Sequence, residues 1–341
     1  MESRTSDVSQ QTPTAAVLQI AAGFGISQAL FVAAKAGVAD VLSTGPKSVQ
    51  DVAREACLQC EALYRLMRAL ASVGVFAEEQ HGVFRNTPLS ETFLSSASGS
   101  LRPFLIMSRE PESWRSWSEL LHSIQTGQTA FEHVYGKPFF EYMTAHAEPA
   151  RIFDEAMTSR SAAEIDAVLS VYDFSTIKQI VDVGGGYGAL LKEVLSKFPN
   201  VHGTLYDLPH VIDRAERSIA EHWTRLHLQS GDFFSRIPEG GDLYVMKKII
   251  HDWPDDRATQ ILRCCRKAMA PRSHLLLIEL VVPPGDGATF TKFLDLWMLV
   301  WFGGRERTEE EYRNLLASAG LALERIIPTR SPISIIEAKP A

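Results

Sequence analysis

The sequence predicts an α/β doubly wound sheet preceded by a mostly helical, winged-helix-like domain. Three observations carry that prediction. Strand-like apolar runs at 179–183, 203–206, 225–230, 242–247, 274–282 and 333–337 alternate with helical runs at 188–198, 209–220, 255–270 and 308–319. Ahead of them, helical patterns at 14–34, 38–42, 48–55 and 61–73 lead into a short hairpin between Phe76 and Phe84. A glycine-rich stretch sits where the first of the alternating strands meets its helix.

The 341 residues are 45% hydrophobic and 22% charged, an ordinary globular composition that excludes wholesale disorder and collagen-like repeats. At roughly 100–200 residues per domain the chain holds two or three domains. We divide it into a dimerisation domain at 1–105, a helical linker and substrate lid at 106–170 and a cofactor-binding catalytic domain at 171–341. The 34 Lys and Arg against 41 Asp and Glu leave a net charge of −7, which weighs against a nucleic-acid partner. Four cysteines are too few for a disulfide scaffold. Cys57 and Cys60 form one CxxC in a helical stretch, and Cys264 and Cys265 are adjacent. They read as buried or half-buried thiols in a reducing cytoplasm.

The first 12 residues, rich in Ser, Thr and Gln, read as a disordered tail. Residues 8–34 carry no charge, yet Gln19, Gly23, Gly25, Ser27 and Gln28 interrupt the run too often for a helix in lipid. Glu2 and Asp7 offset Arg4, so no basic signal-peptide start is present. What remains is an apolar helix that must bury most of its faces, and a partner subunit is the expected place. Ser48 with Asp51 opens the third helix, Gly74 ends the fourth, and His81-Gly82 turns the hairpin. A DNA-binding role for this winged pattern finds little support. Residues 1–110 hold 9 Lys and Arg against 10 Asp and Glu, and Arg65, Arg68 and Arg85 are the only cations on the would-be recognition helix and wing. The region 100–170 contains Trp114, Trp117, Phe131, Phe139, Phe140, Phe153 and Met157, either as core or as a lid over an aromatic ligand.

The strand IVDV runs into Gly184-Gly185-Gly186-Tyr187-Gly188. Glycines here let the backbone turn tightly and approach a ligand closely. Gly184, Gly186 and Ala189 satisfy the dinucleotide pattern G-x-G-x-x-G/A, and from Asp182 the same string reads D-x-G-x-G-x-G, the S-adenosylmethionine form. Asp207, at the end of the second strand, suits ribose hydroxyls in either case. The loop order, Gly231-Asp232-Phe233-Phe234 after the third strand and His251-Asp252-Trp253 after the fourth favour S-adenosylmethionine.

DVGGGYG, YDLPHVI, GDFF, KKIIHDWPDD and GGRERTEEEYRNLLASAG follow one another in that order. In this series the chain resembles the metal-independent small-molecule O-methyltransferases, which include plant caffeic-acid-type enzymes and bacterial enzymes acting on aromatic polyketides and phenazines. The resemblance spans nearly the whole chain. It implies a class I methyltransferase (Rossmann-like) fold, an intertwined homodimer, S-adenosylmethionine as methyl donor with S-adenosylhomocysteine as product, and no metal. It also implies roles by position. His251 matches the general base, with Glu279 and Glu306 as its flanking carboxylates. Gly184, Gly186, Asp207, Leu208, Asp232, Phe233, Lys247, Asp252 and Ser161 match cofactor contacts. Phe153 and Met157 match pocket residues. Trp297, Met298 and Trp301 lie on one predicted helix, where Trp297 and Trp301, four apart, share a face that would clamp a flat substrate or fill the core.

The chemistry asks for these residue types. A sulfonium methyl is already activated, so transfer depends on aligning the acceptor oxygen, carbon and sulfur. A phenol of pKa about 10 is a poor nucleophile at neutral pH. A histidine can take its proton, and a carboxylate on the other ring nitrogen fixes the tautomer. The expected function is therefore O-methylation of a phenolic hydroxyl on an aromatic small molecule. Methylation of an aromatic ring nitrogen is the alternative, followed by a nicotinamide-dependent oxidoreductase and a winged-helix regulator.

Overall fold

In the computed structural model, residues 12–218, 224–287 and 289–341 are described, and the chain separates into two units. One comprises Met1–Ser113 with Arg151–Arg160, the other Trp114–Ala150 with Ser161–Ala341. The predicted N-terminal tail lies outside the described residues up to position 11.

The first unit opens on helix Pro13–Lys35. Thr12 caps it, its Oγ1 accepting the Ala15 N–H at 3.3 Å, and proline occupies the first turn. Only its C-terminal end is enclosed, at Ala33 and Ala34, while Val17, Leu18, Ile20 and Phe24 are 64–79% exposed. Burial of most faces is thus not met within this chain. By length and composition alone the helix is apolar enough to cross a membrane. Ser48 caps Val49–Glu55 as the sequence predicts, its Oγ accepting the Asp51 N–H at 3.1 Å.

Three short antiparallel strands, β1 (Lys47–Ser48), β2 (Phe76–Gln80) and β3 (Val83–Asn86), pair in the order β1-β3-β2 around the turn at His81-Gly82. Two-residue β1 is too short to leave a periodic signal. Leu63, Met67 and Leu70 of helix Cys60–Ser72 pack with Phe76 and Phe84 to form the core. Cys57 departs from expectation, for it is exposed and outside any helix. It takes the left-handed position after helix Val49–Glu55, with φ 55°, and Leu58 N–H closes the end onto Ala53 O at 2.8 Å. This is the helix-terminating geometry usually filled by glycine. Cys60 and Cys264 are half-buried and Cys265 buried, as expected.

The second unit is built on a seven-stranded sheet. Its strands are β4 (Gln179–Val183), β5 (His202–Asp207), β6 (Leu226–Ser230), β7 (Leu243–Lys247), β8 (His274–Leu280), β9 (Leu321–Pro328) and β10 (Ile333–Pro340), in the order β6-β5-β4-β7-β8-β10-β9. The five strands from β6 to β8 are parallel, and β10 runs antiparallel to both neighbours. The sheet is therefore mixed. Edge strand β9 escaped the sequence reading because its LALERIIP pattern is only half-buried and Glu324-Arg325 breaks the apolar run. Both faces are covered. Leu190, Leu191 and Val194 of helix Ala189–Lys197 pack with Ile180 and Leu205. Ile261, Leu262 and Cys265 of helix Asp255–Ala268 pack with Val181 and Met246. The chain winds outward from β4 to β6, then returns to β7 on the other side of β4. That reversal places a crevice at the carboxyl ends of β4 and β7, where open α/β sheets bind ligands.

Helix Ala147–Leu169 is shared, its turns at Arg151–Arg160 belonging to the first unit and its ends to the second.

Candidate active site

The glycine loop follows β4 directly. Gly184, Gly186 and Gly188 have φ of 72°, 59° and 71°, in the left-handed region open to glycine. A Cβ on Gly184 would lie 2.5 Å from Ile249 Cδ1 and 3.6 Å from the Phe233 ring, so the loops after β4, β6 and β7 converge there. At Gly186 the same position is open space. Asp207, at the end of β5, accepts the Gly186 N–H at 2.9 Å and the Leu208 N–H at 2.7 Å. Burial pushes its carboxyl up, against those two hydrogen bonds. Asp182 is buried in β4, with Oδ2 lacking a hydrogen-bond partner. Burial and then the charge of Asp207 push it up to about 7, with Lys247 opposing. Asp232 is exposed after β6 and accepts the Phe234 N–H at 2.9 Å, while Phe233 is half-buried. Lys247, at the end of β7, donates to Ser161 Oγ at 3.1 Å and pairs with Glu164 Oε2 at 2.8 Å. Lys248, with φ 56°, pairs with the other oxygen of Glu164. Burial would raise Glu164, but Lys248 and Lys247 hold it at about 2. The predicted cofactor contacts thus lie along the carboxyl ends of β4 to β7, with Ser161 joined through Lys247.

His251 sits in the short turn Ile250–Asp252 after β7. Its Nδ1 is 2.8 Å from Glu306 Oε1 and 3.8 Å from Glu279 Oε2, and its Nε2 is 3.4 Å from Asp252 Oδ1. Glu279, at the end of β8, accepts the N–H groups of Ile249 at 3.1 Å and Ile250 at 2.9 Å on Oε1. Burial disfavours charge on the imidazole, but Glu279, Asp252 and Glu306 outweigh it and raise its pKa. Burial also raises Glu279 and Asp252, and the neighbouring carboxylates add to both shifts. The group titrates as a coupled cluster that retains protons.

A brace around this turn went unread in the sequence. A Cβ on Gly304 would fall 2.0 Å from His251 O, and the Arg305 N–H donates to that same oxygen at 2.8 Å. Arg307, 1% exposed, donates to Ile250 O at 3.1 Å, Trp253 O at 2.9 Å and Asp255 Oδ1 at 2.7 Å. Asp295 accepts the Glu306 N–H at 2.8 Å. The backbone on both sides of His251 is therefore bolted to the segment that carries Glu306. The available signal was a Gly-Gly pair followed by the charged run Arg305-Glu306-Arg307.

Helix Phe290–Trp301 forms as predicted. Trp297 is half-buried, 5.8 Å between ring centres from Trp301 and 5.9 Å from Trp117. Trp301 is buried and stacks on Phe139 at 5.1 Å, and Met298 lies in the core with Leu280 and Leu294. Phe153 and Met157 lie on turns of helix Ala147–Leu169 that belong to the first unit.

Residues 117–322 match the O-methyltransferase domain family, and residues 18–96 match the O-methyltransferase dimerisation domain. The chain is 42% identical over 326 residues to a phenazine O-methyltransferase of Lysobacter antibioticus, covering 95% of each chain. It is 31% identical over 316 residues to an 8-amino-8-demethylriboflavin N,N-dimethyltransferase of Streptomyces davaonensis, covering 91% of this chain and 90% of that one. A solved O-methyltransferase from neocarzinostatin biosynthesis, in complex with S-adenosylmethionine and 2-hydroxy-5-methyl naphthoic acid, is 32% identical with a TM-score of 0.79. It covers 95% of this chain and 98% of its own.

Proposed function

The chain belongs to the O-methyltransferase family, with a class I methyltransferase fold behind a dimerisation domain, and from that membership we propose that it methylates a phenolic hydroxyl of an aromatic small molecule, with His251 as general base and no metal in the step. S-adenosylmethionine, when bound, supplies an electrophilic sulfonium methyl and leaves as S-adenosylhomocysteine. The residues present fit it. The glycine loop leaves open space at Gly186, and Asp207 is fixed beside that loop with lone pairs remaining for ribose hydroxyls. Phe233, Asp232 and Lys247 stand on the adjoining strand ends.

The hydrogen bond between His251 Nδ1 and Glu306 carries the base reading. With the proton of neutral imidazole held on Nδ1 by Glu306, the Nε2 lone pair is free to take the phenol proton. The imidazolium then formed is stabilised by Glu306, Glu279 and Asp252. The base and its orienting partner are complete within the chain, so the step needs no Lewis acid to activate a phenol. The phenazine and naphthoic-acid relatives support an aromatic acceptor. The N,N-dimethyltransferase relative acts on an amino group, so a nitrogen acceptor is the second reading; an amino nitrogen would give His251 a proton to take, whereas a ring nitrogen would leave it without a task. Exposed Val17, Leu18, Ile20 and Phe24, on a helix that the dimerisation match covers from residue 18, support a homodimer. Its free thiols suit the cytoplasm.

The test is His251→Ala. Turnover of an aromatic hydroxyl substrate should fall roughly 10²–10⁴-fold, with S-adenosylmethionine affinity by calorimetry unchanged. Equal turnover removes the base assignment, and activity lost to EDTA and restored by a metal removes the metal-free one.

A further inference from the structure

Glu279 and Glu306 are 0% and 2% exposed, and each leaves its Oε2 buried without a hydrogen-bond partner. Protein interiors rarely leave a carboxylate oxygen unpaired, because its lost hydration goes uncompensated. With His251 the two glutamates offer three ligand atoms, one nitrogen and two oxygens, all within 4.8 Å of one another. From Nδ1 the separations are 2.8 Å to Glu306 Oε1 and 3.8 Å to Glu279 Oε2. Bonds of about 2.0–2.1 Å in a tetrahedral site set neighbouring ligands about 3.4 Å apart, so each separation is within about 0.6 Å of the required value. Glu279 is also oriented from behind by the Ile249 and Ile250 N–H groups on its other oxygen, the outer support a metal ligand normally has.

We propose that His251, Glu279 and Glu306 form a binding site for a first-row divalent cation such as Zn²⁺, and that the bound ion switches the enzyme off. Two carboxylates balance the ion's charge, and a water completes the tetrahedron. The metal takes the Nδ1 lone pair, and the one proton of the neutral imidazole, held until then between Nδ1 and Glu306, transfers through solvent to Nε2. A neutral imidazole bound through Nδ1 carries its single proton on Nε2. That is the nitrogen the base reading reserves for the phenol proton, so the switch, though not the site, rests on that reading. Mg²⁺, which demands octahedral oxygen ligation, does not suit the set.

The experiment uses the full chain carrying Cys57→Ser and Cys60→Ser, which removes the CxxC thiol pair as a competing zinc site. Zn²⁺ is titrated by calorimetry and against turnover. Co²⁺ is titrated in parallel, its visible absorption reporting the site without reference to activity. We expect one ion per chain, turnover lost in step with occupancy and restored by EDTA, and no effect of Mg²⁺. Glu306→Gln and Glu279→Gln, each checked for folding by circular dichroism, should weaken Zn²⁺ and Co²⁺ binding by on the order of 100-fold. Binding unchanged in whichever variant folds, or no saturable binding up to millimolar Zn²⁺, overturns the site. Full turnover with the ion bound overturns the switch. Full turnover of His251→Ala, with metal binding lost in that variant, removes the base reading and leaves the site standing.

Discussion

Helix Pro13–Lys35 and the ends of β7 and β8 break the rules of burial in opposite ways. The helix sets Ile20 and Phe24 out at 79% and 67% exposure. The strand ends enclose His251, Glu279, Glu306 and Arg307 at 7% or less. Apolar surface left out costs hydrophobic free energy that another surface can recover. Polar groups taken in cost hydration that only hydrogen bonds and ion pairs within the fold can offset. The first violation therefore points outside the chain, to a partner. The second points inside, to an imidazole held fixed and away from water.

The buried half of that contrast should give the larger effects. Arg307→Met removes donors to two enclosed carbonyls and to Asp255. It should cost about 3 kcal/mol of stability, read by chemical denaturation. A cost under about 1 kcal/mol would mean that the brace is dispensable. Gly304→Ala drives a Cβ against His251 O and should move the turn enough to cost on the order of 10²-fold in turnover, while cofactor affinity holds.

The next effect is a displacement in pH. On the proposed base role His251 acts in its deprotonated form, so turnover should rise with pH through its folded-state pKa, which the carboxylates hold above the ordinary 6.5. Glu306→Gln removes one of those charges, so the acid limb of the kcat profile should move to lower pH, by about one unit. A limb that stays put would detach Glu306 from the base. The smallest effect on folding is expected at the exposed helix. Ile20→Glu with Phe24→Glu should change the stability of the chain by about 0.5 kcal/mol or less, yet sedimentation should show dimers for the unaltered protein and monomers for the variant. A large loss of folded protein would show instead that this face is packed within its own chain.

The legible parts of the molecule were those with local signals. Ser48 announced its cap, and the inner parallel strands β4, β7 and β8 announced themselves as apolar runs because both faces of the sheet are covered there. Half-buried β9 and two-residue β1 carry no such run. His251, Glu279 and Glu306 were legible only as members of an ordered motif series, since no spacing rule brings three strand-end segments together. Gly304 and Arg307 were missed because their work is done on backbone atoms of a segment some fifty residues earlier, and backbone atoms have no sequence. Cys57 was misread because a left-handed helix end is usually spelled with glycine.

Helix Ala147–Leu169 also bears on inheritance. Its middle turns belong to one unit and its ends to the other, so no single cut in the gene separates the two. Recombination that exchanged the first unit between relatives would have to replace 1–113 and, separately, a ten-residue insert at 151–160 inside an intact helix. A crossover at residue 113 alone leaves a first unit made of 1–113 from one parent and 151–160 from the other. The two units are thus expected to diversify together, and chimaeras built at a single junction to fold less well than either parent.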